Sequence, residues 1–209
     1  MAERRLRILL VGAAGTLGRA VAAELGQRHE VIGAGRRSGE LRLDLTDPAS
    51  IRIALAQAGK LDAVISAAGR VHFAPLAEFV AAPYGESLHT TGLADKLLGQ
   101  VNLALAARDY LAAGGSITLT TGILSEQPIA QGSSASLVNG AVEAFVRAVA
   151  IELPRGLRIN AVSPNVLVEA MDDYAPFFRG FEPVPAARAA LAFSRSVEGA
   201  QTGQVYRVF

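Results

Sequence analysis

The chain has 209 residues, which is enough for one globular domain with its own hydrophobic core. Apolar residues make up 51% of it, charged residues 19%, and the net charge is +1; this balance excludes a disordered chain and gives no sign of a nucleic-acid-binding surface. The absence of cysteine excludes disulfides and thiolate metal sites, and three histidines are too few for a histidine-rich metal site.

No apolar run approaches the roughly 18 residues that a membrane helix needs. The arginine-rich residues 4–7 and the apolar run after them imitate a signal peptide, but glycines and charged residues follow too soon. A buried first strand explains this segment better. We therefore expect a cytoplasmic protein with no membrane, nucleic-acid or metal partner.

Short apolar runs alternate with longer helical stretches, which is typical of an α/β protein with a parallel sheet. The first half predicts a strand at 6–11, a helix at 16–27, strands at 30–33 and 41–45, a helix that begins at Pro48 after an Asp47 N-cap, and a strand at 61–66. The second half predicts a helix at 87–113, a strand at 116–120, a helix at 133–153, a strand at 157–162, an irregular stretch from 164 to 185, a helix at 186–193 and a strand at 204–208. These elements predict one domain, residues 1–209, with a Rossmann-type doubly wound parallel sheet of about seven strands and helices on both faces.

The first predicted strand runs directly into a glycine-rich turn that opens the first helix. Gly12 allows the tight turn, Gly15 lets the backbone approach a diphosphate, and Gly18 lets the helix pack on the strand. A turn in this context predicts dinucleotide binding, with the first amides of the helix facing the phosphates. The alternative is a turn that only allows close packing.

The residues after the second predicted strand indicate which dinucleotide is bound. An NAD site needs an acidic residue about 20 residues after the glycine turn to bind the ribose 2′-hydroxyl, and residues 31–39 contain none. Arg36, Arg37 and Ser38 stand there instead, and arginine binds phosphate bidentately. The sequence therefore predicts NADP(H), the alternative being a solvated basic turn. Asp44 either accepts a hydrogen bond from the adenine amine or caps a loop.

The chain resembles the short-chain dehydrogenase/reductase family over nearly its whole length. Residues 66–69, Ser-Ala-Ala-Gly, resemble the family's Asn-Asn-Ala-Gly motif, residues 157–164 resemble its sixth strand, with Asn165 where a glycine normally follows, and residues 202–205 resemble its last strand. The resemblance implies an NADP(H)-dependent oxidoreductase that forms a homodimer or homotetramer. Together with the turn and the basic residues above, it gives these predicted cofactor contacts: Gly12, Ala14, Gly15, Thr16, Leu17, Gly18, Arg36, Arg37, Ser38, Asp44, Leu45, Ala67, Ala68, Gly69, Thr120, Thr121, Asn139, Pro164 and Val166.

All four catalytic positions of the family are changed in this chain. The family uses Asn, Ser, Tyr and Lys, and the tyrosine carries the proton. Motif spacing places Lys96, Gly122, Ala135 and Asn139 at those positions. No tyrosine lies between residues 110 and 174 and no lysine follows Lys96, so the chain has no Tyr-x-x-x-Lys pair.

Several nearby side chains are candidates for the missing proton donor, and each has a structural alternative. The first candidates are Lys96, Thr121 and Ser136. Further candidates are His72, Thr120, Ser125, Ser133 and Ser134. The serines are also suited to capping the long helix, Lys96 to a solvated or paired position, and His72 to a loop. Asn139 is predicted to bond the cofactor ribose where the family has lysine.

Two functions remain open. The first is a divergent NADP(H)-dependent oxidoreductase with a non-standard or impaired proton donor and an unknown substrate. The second is a non-catalytic NADP(H)-binding protein that senses redox state or regulates a partner. A hydrolase or lyase has no Ser-His-acid arrangement to support it. Phe177, Phe178 and Phe181 either line an apolar lid over the cleft or simply pack.

Overall fold

A computed structural model of the chain describes residues 4–209, so only residues 1–3 of the predicted domain lie outside it. All seven predicted strands are present in one parallel sheet with the order β3-β2-β1-β4-β5-β6-β7. The strands are β1 Arg7–Val11, β2 Glu30–Gly35, β3 Leu41–Arg42, β4 Leu61–Ser66, β5 Leu111–Thr120, β6 Arg158–Pro164 and β7 Val205–Val208. The chain reverses its direction of travel across the sheet between β1 and β4, and a crevice for ligands opens at such a point. The predicted fold class is confirmed.

Helices cover both faces of this sheet. They are α1 Thr16–Leu25, α2 Pro48–Ala58, α3 Thr90–Gly92, α4 Gly99–Ala107, α5 Ser133–Val149, α6 Met171–Tyr174 and α7 Ala186–Glu198. A π-helical segment, Leu93–Leu98, joins α3 to α4 without a break. Asp47 caps α2 as predicted, because its carboxylate accepts a hydrogen bond from the Ala49 amide. Within residues 4–209, no helix is both long enough and apolar enough to cross a membrane.

The continuous apolar run of β1 is explained by burial on both sides. Leu9 and Val11 point to the face covered by α2, α4 and α5, while Ile8 and Leu10 point to the face covered by α1 and α7. Both layers exclude water, which is why a central parallel strand does not alternate with polar residues. Phe193 of α7 is fully buried in the second layer.

The main correction concerns residues 108–115, where a helix to residue 113 was expected. Helix α4 ends at Ala107 and β5 begins at Leu111, which pairs with Leu61. The register then shifts between Leu61 and Ala63, and Gly114, with a φ of +74°, lies in the irregular part of the strand. The start of β5 is therefore set by pairing with β4, and the alanines before Gly114 carry no local sign of it.

Smaller differences concern element ends. Strand β3 ends at Arg42, three residues earlier than predicted, and helix α1 ends at Leu25, two residues earlier. Helix α5 ends at Val149 and is followed by turns, four residues earlier than predicted. Helix α7 continues to Glu198, because Val197 packs in the same buried layer as Phe193. Strand β2 extends to Gly35, so the residue that follows the strand is Arg36.

Candidate functional site

The glycine turn after β1 forms one wall of the first pocket. Gly12 has a φ of +87°, and its amide donates a hydrogen bond to the Ala34 carbonyl over 2.8 Å. A Cβ on Gly12 would lie 2.8 Å from the Ala68 Cβ, and a Cβ on Gly18 would lie 2.0 Å from the Gly12 carbonyl oxygen. The turn therefore needs glycine at both positions, and it leaves backbone at the surface of the pocket at the N-terminus of α1.

Nine of the predicted cofactor residues come together in this pocket, whose volume is about 220 Å³. The predicted residues that line it are Gly12, Ala14, Gly15, Arg36, Ser38, Asp44, Leu45, Ala68 and Gly69. Arg37, in the bend that follows β2, is exposed and lies outside the lining. Of the two arginines predicted to contact the cofactor, Arg36 lines the pocket and Arg37 does not.

Five other predicted contacts lie behind the surface of the pocket. Thr16, Leu17 and Gly18 belong to α1, where Leu17 and Gly18 are buried. The Ala67 amide donates to the Val11 carbonyl over 2.8 Å. Thr120 is buried, and its hydroxyl donates to the Ser66 carbonyl over 2.6 Å. These residues support the turn and the strand ends that line the pocket.

Asp44 caps its own loop while it lines the pocket. Its carboxylate accepts hydrogen bonds from the amide and the hydroxyl of Thr46, at 2.9 and 2.8 Å. These two bonds, and to a smaller extent the charges of Arg36 and Arg70, lower the pKa of the Asp44 carboxyl. Asp44 therefore caps its loop, as one of the two predictions had it, and it also lines the pocket.

An ion pair that the sequence did not reveal stands where the first pocket meets a second one. Arg70 Nε lies 2.7 Å from an Asp95 carboxylate oxygen. The two residues are 25 positions apart, so no local pattern could indicate their contact. Arg70 and Gly69 line both pockets, so the two cavities adjoin each other.

The second pocket has a volume of about 500 Å³. It contains the four residues at the family's catalytic positions, Lys96, Gly122, Ala135 and Asn139, together with the predicted contacts Thr121, Pro164 and Val166. Its wall is mostly apolar and includes Val71, Phe73, Ile123, Leu124, Leu167 and Phe178. The four residues that motif spacing assigned to the catalytic positions therefore line one cavity.

An aromatic cluster forms one side of the second pocket. The ring of Phe73 lies 5.6 Å from that of Tyr174 and 5.2 Å from that of Phe177, between centroids. Of the three predicted lid residues, only Phe178 lines the cavity, while Phe177 and Phe181 pack behind it. Tyr174, the last residue of α6, also lines the cavity and was not predicted, because the sequence analysis interpreted residues 164–185 as irregular.

Lys96 and Asn139 are two of the polar residues that line the second pocket. Lys96 Nζ donates to the Thr121 carbonyl over 3.2 Å, and Asn139 Nδ2 donates to the neighbouring Gly122 carbonyl over 3.3 Å. Asn139 Oδ1 is buried without a hydrogen-bond partner among residues 4–209. Burial lowers the pKa of the Lys96 amine to about 8. An ionisable amine and a free acceptor therefore border the cavity.

Most of the other proposed proton donors point elsewhere. Ser136 follows Ala135 by about 100° around α5, and both Ser136 and Ser133 line a separate surface cavity beside Leu137. This placement removes Ser136 from the candidates.

Three other candidates lie outside the lining of both pockets. The Ser125 hydroxyl donates to a Glu143 carboxylate oxygen over 2.7 Å. Ser134 Oγ is buried close to Gly92 of α3 and has no hydrogen-bond partner among residues 4–209. His72 packs edge to face on Phe79 and lies outside the lining of both pockets.

Comparison with known proteins identifies the family. A family model described as enoyl-(acyl carrier protein) reductase matches residues 10–207, which is nearly the whole chain. The chain belongs to the short-chain dehydrogenase/reductase family. The predicted resemblance is confirmed, and the protein is placed among the oxidoreductases of this family.

Solved structures agree with this membership in the short-chain dehydrogenase/reductase family. The protein lin1944 from Listeria innocua is 52% identical, with a TM-score of 0.93 over 98% of this chain and 100% of that one. A small-chain dehydrogenase in complex with NADPH is 25% identical, with a TM-score of 0.84 over 98% and 97%. A curated relative, short-chain dehydrogenase/reductase ATR9 from Stachybotrys chlorohalonatus, is 33% identical over 116 residues. That match spans 56% of this chain and 44% of the relative, less than half of its length.

Proposed function

We propose that this short-chain dehydrogenase/reductase uses NADP(H) to interconvert a carbonyl compound and an alcohol. One observation carries the proposal: a glycine-lined pocket with Arg36 in its lining adjoins a mostly apolar pocket that contains Lys96 and Asn139. The first cavity suits a dinucleotide and the second suits a small apolar substrate. The similar dehydrogenase solved with NADPH supports the choice of cofactor.

The residues present fit NADP(H). Gly12 and Gly15 line the first pocket, where their backbone would face a diphosphate. A Cβ on Gly12 would collide with Ala68, so this turn requires glycine. Arg36 and Ser38 would hold the 2′-phosphate through charge-assisted and hydroxyl hydrogen bonds. The unpartnered Asn139 Oδ1 would accept a hydrogen bond from a ribose hydroxyl.

The chain's own contribution to the reaction is orientation, exclusion of water and proton supply. When bound, the nicotinamide supplies or accepts the hydride. The aromatic side of the second pocket, Phe73 and Phe178, would bind the apolar part of the substrate and keep water from the reacting atoms. We further expect a homodimer or homotetramer, which sedimentation measurements would establish.

One observation favours a second function, a non-catalytic NADP(H)-binding protein that senses redox state or regulates a partner. Gly122 and Ala135 offer only hydrogen and methyl where the family has serine and tyrosine. Losing a general acid costs a factor of about 10²–10⁴ in rate, and losing a donor to the substrate oxygen costs about 10²–10³. A chain that replaced neither group would bind NADPH and turn over little.

The two functions differ in NADPH consumption. The purified protein is mixed with NADPH and a panel of aldehydes, ketones and enoyl thioesters, the last because of the description of the matching family model. The oxidoreductase predicts substrate-dependent consumption that disappears in Gly12→Val, whose side chain fills the turn. Tight NADPH binding without consumption supports the second function, and absence of binding refutes both.

A further inference from the structure

Lys96 enters the second pocket from an unusual piece of backbone. It lies in the π-helical segment Leu93–Leu98, and π-helical turns are rare and often occur at functional sites. Its aliphatic stem passes over Gly69, where an added Cβ would lie 2.7 Å from Lys96 Cγ. The missing side chain at residue 69 therefore makes room for the lysine to reach the cavity, at a position where the family has asparagine.

The amine of Lys96 has bonding capacity left for a ligand. An ammonium group has three donors, and the protein accepts one of them, at the Thr121 carbonyl. In the described part of the chain, no carboxylate lies within ion-pair distance of Lys96, since the neighbouring Asp95 pairs with Arg70. The titratable and charged groups that line the same two cavities are Arg36, Asp44, Arg70, Asp95 and Tyr174.

Burial without a counter-charge also tunes this amine. The pKa of Lys96 is lowered to about 8, because water no longer stabilises the charged form. The group is therefore mostly protonated at neutral pH and still releases its proton readily. A general acid works best when its pKa lies near the working pH.

The other donors of the cavity are less suited to this task. Arg70 keeps its charge at all ordinary pH values and is paired with Asp95. The Thr121 hydroxyl points to the Val162 carbonyl, at 3.5 Å. Tyr174 belongs to the aromatic cluster, where its ring packs 5.6 Å from that of Phe73. Lys96 is the remaining acid beside Gly122 and Ala135, where the family's serine and tyrosine would be.

We propose that Lys96 is the proton donor for the reduction of the substrate carbonyl, an inference that rests on the proposed oxidoreductase function. The carbonyl carbon receives the hydride of the reduced nicotinamide, the carbonyl double bond becomes a single bond, and the oxygen receives a proton from Lys96 Nζ. The amine is left neutral and regains a proton from solvent. Lysine and asparagine have thus exchanged places relative to the family, with the amine at residue 96 and the amide at residue 139.

The first test measures the amine itself. The chain contains only two lysines, Lys60 and Lys96, so a protein labelled with ¹³C-lysine gives two side-chain signals, and Lys60 is exposed and serves as the reference. We expect the Lys96 signal to titrate near pH 8 and to shift when NADP⁺ is added. A Lys96 signal that titrates together with that of Lys60 overturns the proposal.

The second test measures turnover of a reduced substrate. Lys96→Gln should lower kcat by a factor of about 10²–10⁴ and leave the Kd for NADPH within about threefold, while Lys60→Gln, at an exposed residue outside both pockets, keeps kcat. In the unmodified protein, kcat for reduction should fall above the pKa of the amine, and kcat for alcohol oxidation should rise there. Lys96→Arg, which keeps the charge and does not release a proton, should be as slow as the glutamine variant.

These experiments distinguish failure of the proposed role of Lys96 from failure of the proposed oxidoreductase function. If Lys96→Gln keeps kcat, or Tyr174→Phe alone abolishes it, Lys96 is not the donor and the oxidoreductase function stands. If the unmodified protein binds NADPH and reduces no substrate, the oxidoreductase function falls and the role of Lys96 falls with it.

Discussion

Gly18→Ala tests the geometry of the glycine turn most sharply, because the structure offers a matched control. A Cβ on Gly18 would lie 2.0 Å from the Gly12 carbonyl oxygen, whereas a Cβ on Gly140, inside α5, meets no atom within 4 Å. The gain in helix propensity, about 1 kcal/mol, is common to both substitutions. Their difference in stability therefore isolates the collision.

The collision should cost about 3 kcal/mol, the upper end for overpacking, because a backbone oxygen has no rotamer to escape into. For a chain of this length that corresponds to a difference in Tm of about 6–12 °C. Gly18→Ala should also weaken NADPH binding, since the carbonyl that moves belongs to the turn. Thermal unfolding followed by circular dichroism measures the first effect and calorimetric titration the second. Equal melting temperatures for Gly18→Ala and Gly140→Ala would refute the packing argument.

Three further predictions concern single side chains. Arg36→Ala should weaken NADPH binding about 10- to 100-fold by loss of a charge-assisted hydrogen bond and leave NADH binding unchanged, while Arg37→Ala, outside the pocket, should change neither; equal losses for both arginines would contradict this. Asn139→Ala should weaken NADPH binding about 3- to 10-fold, with Asn102→Ala on α4 as the control. The pKa of Lys96 in the folded protein, about 8, lies below its value in the unfolded chain, so folding releases a proton at pH values between these two pKa values. In urea unfolding, the free energy of unfolding relative to that of Lys96→Met should therefore rise by about 2 kcal/mol from about pH 7 to about pH 9.5. A difference that does not change with pH would refute the burial of the amine.

The sequence predicted the sheet well because its signals are local. β1 and β4 are apolar runs buried on both faces. Gly12, with its positive φ, marks the turn between the end of β1 and the start of α1. The start of β5 could not be predicted, because Leu111 becomes a strand residue only through its pairing with Leu61, fifty positions earlier in the chain. Local patterns carry no information on such a pairing.

Motif spacing predicted which residues lie near the two pockets, but not which way their side chains point. Motif spacing brought Lys96 and Ala135 to one cavity, but it left open that Ser136 turns away from that cavity and Arg37 from the other. The ion pair of Arg70 with Asp95 depends on a contact between two distant segments. Which side chain faces a cavity is decided by the packing of whole helices and loops, after the local elements have formed.

The proposed function depends on NADP(H) binding in the first pocket, beside the substrate pocket. Separate calorimetric titrations of the purified protein with NADPH and with NADH test it most directly. We expect NADPH to bind at least about tenfold more tightly than NADH, because Arg36 gains a phosphate partner in that ligand only. Equal binding of the two would contradict the role of Arg36, and binding of neither would contradict the assignment of the glycine turn as a dinucleotide site.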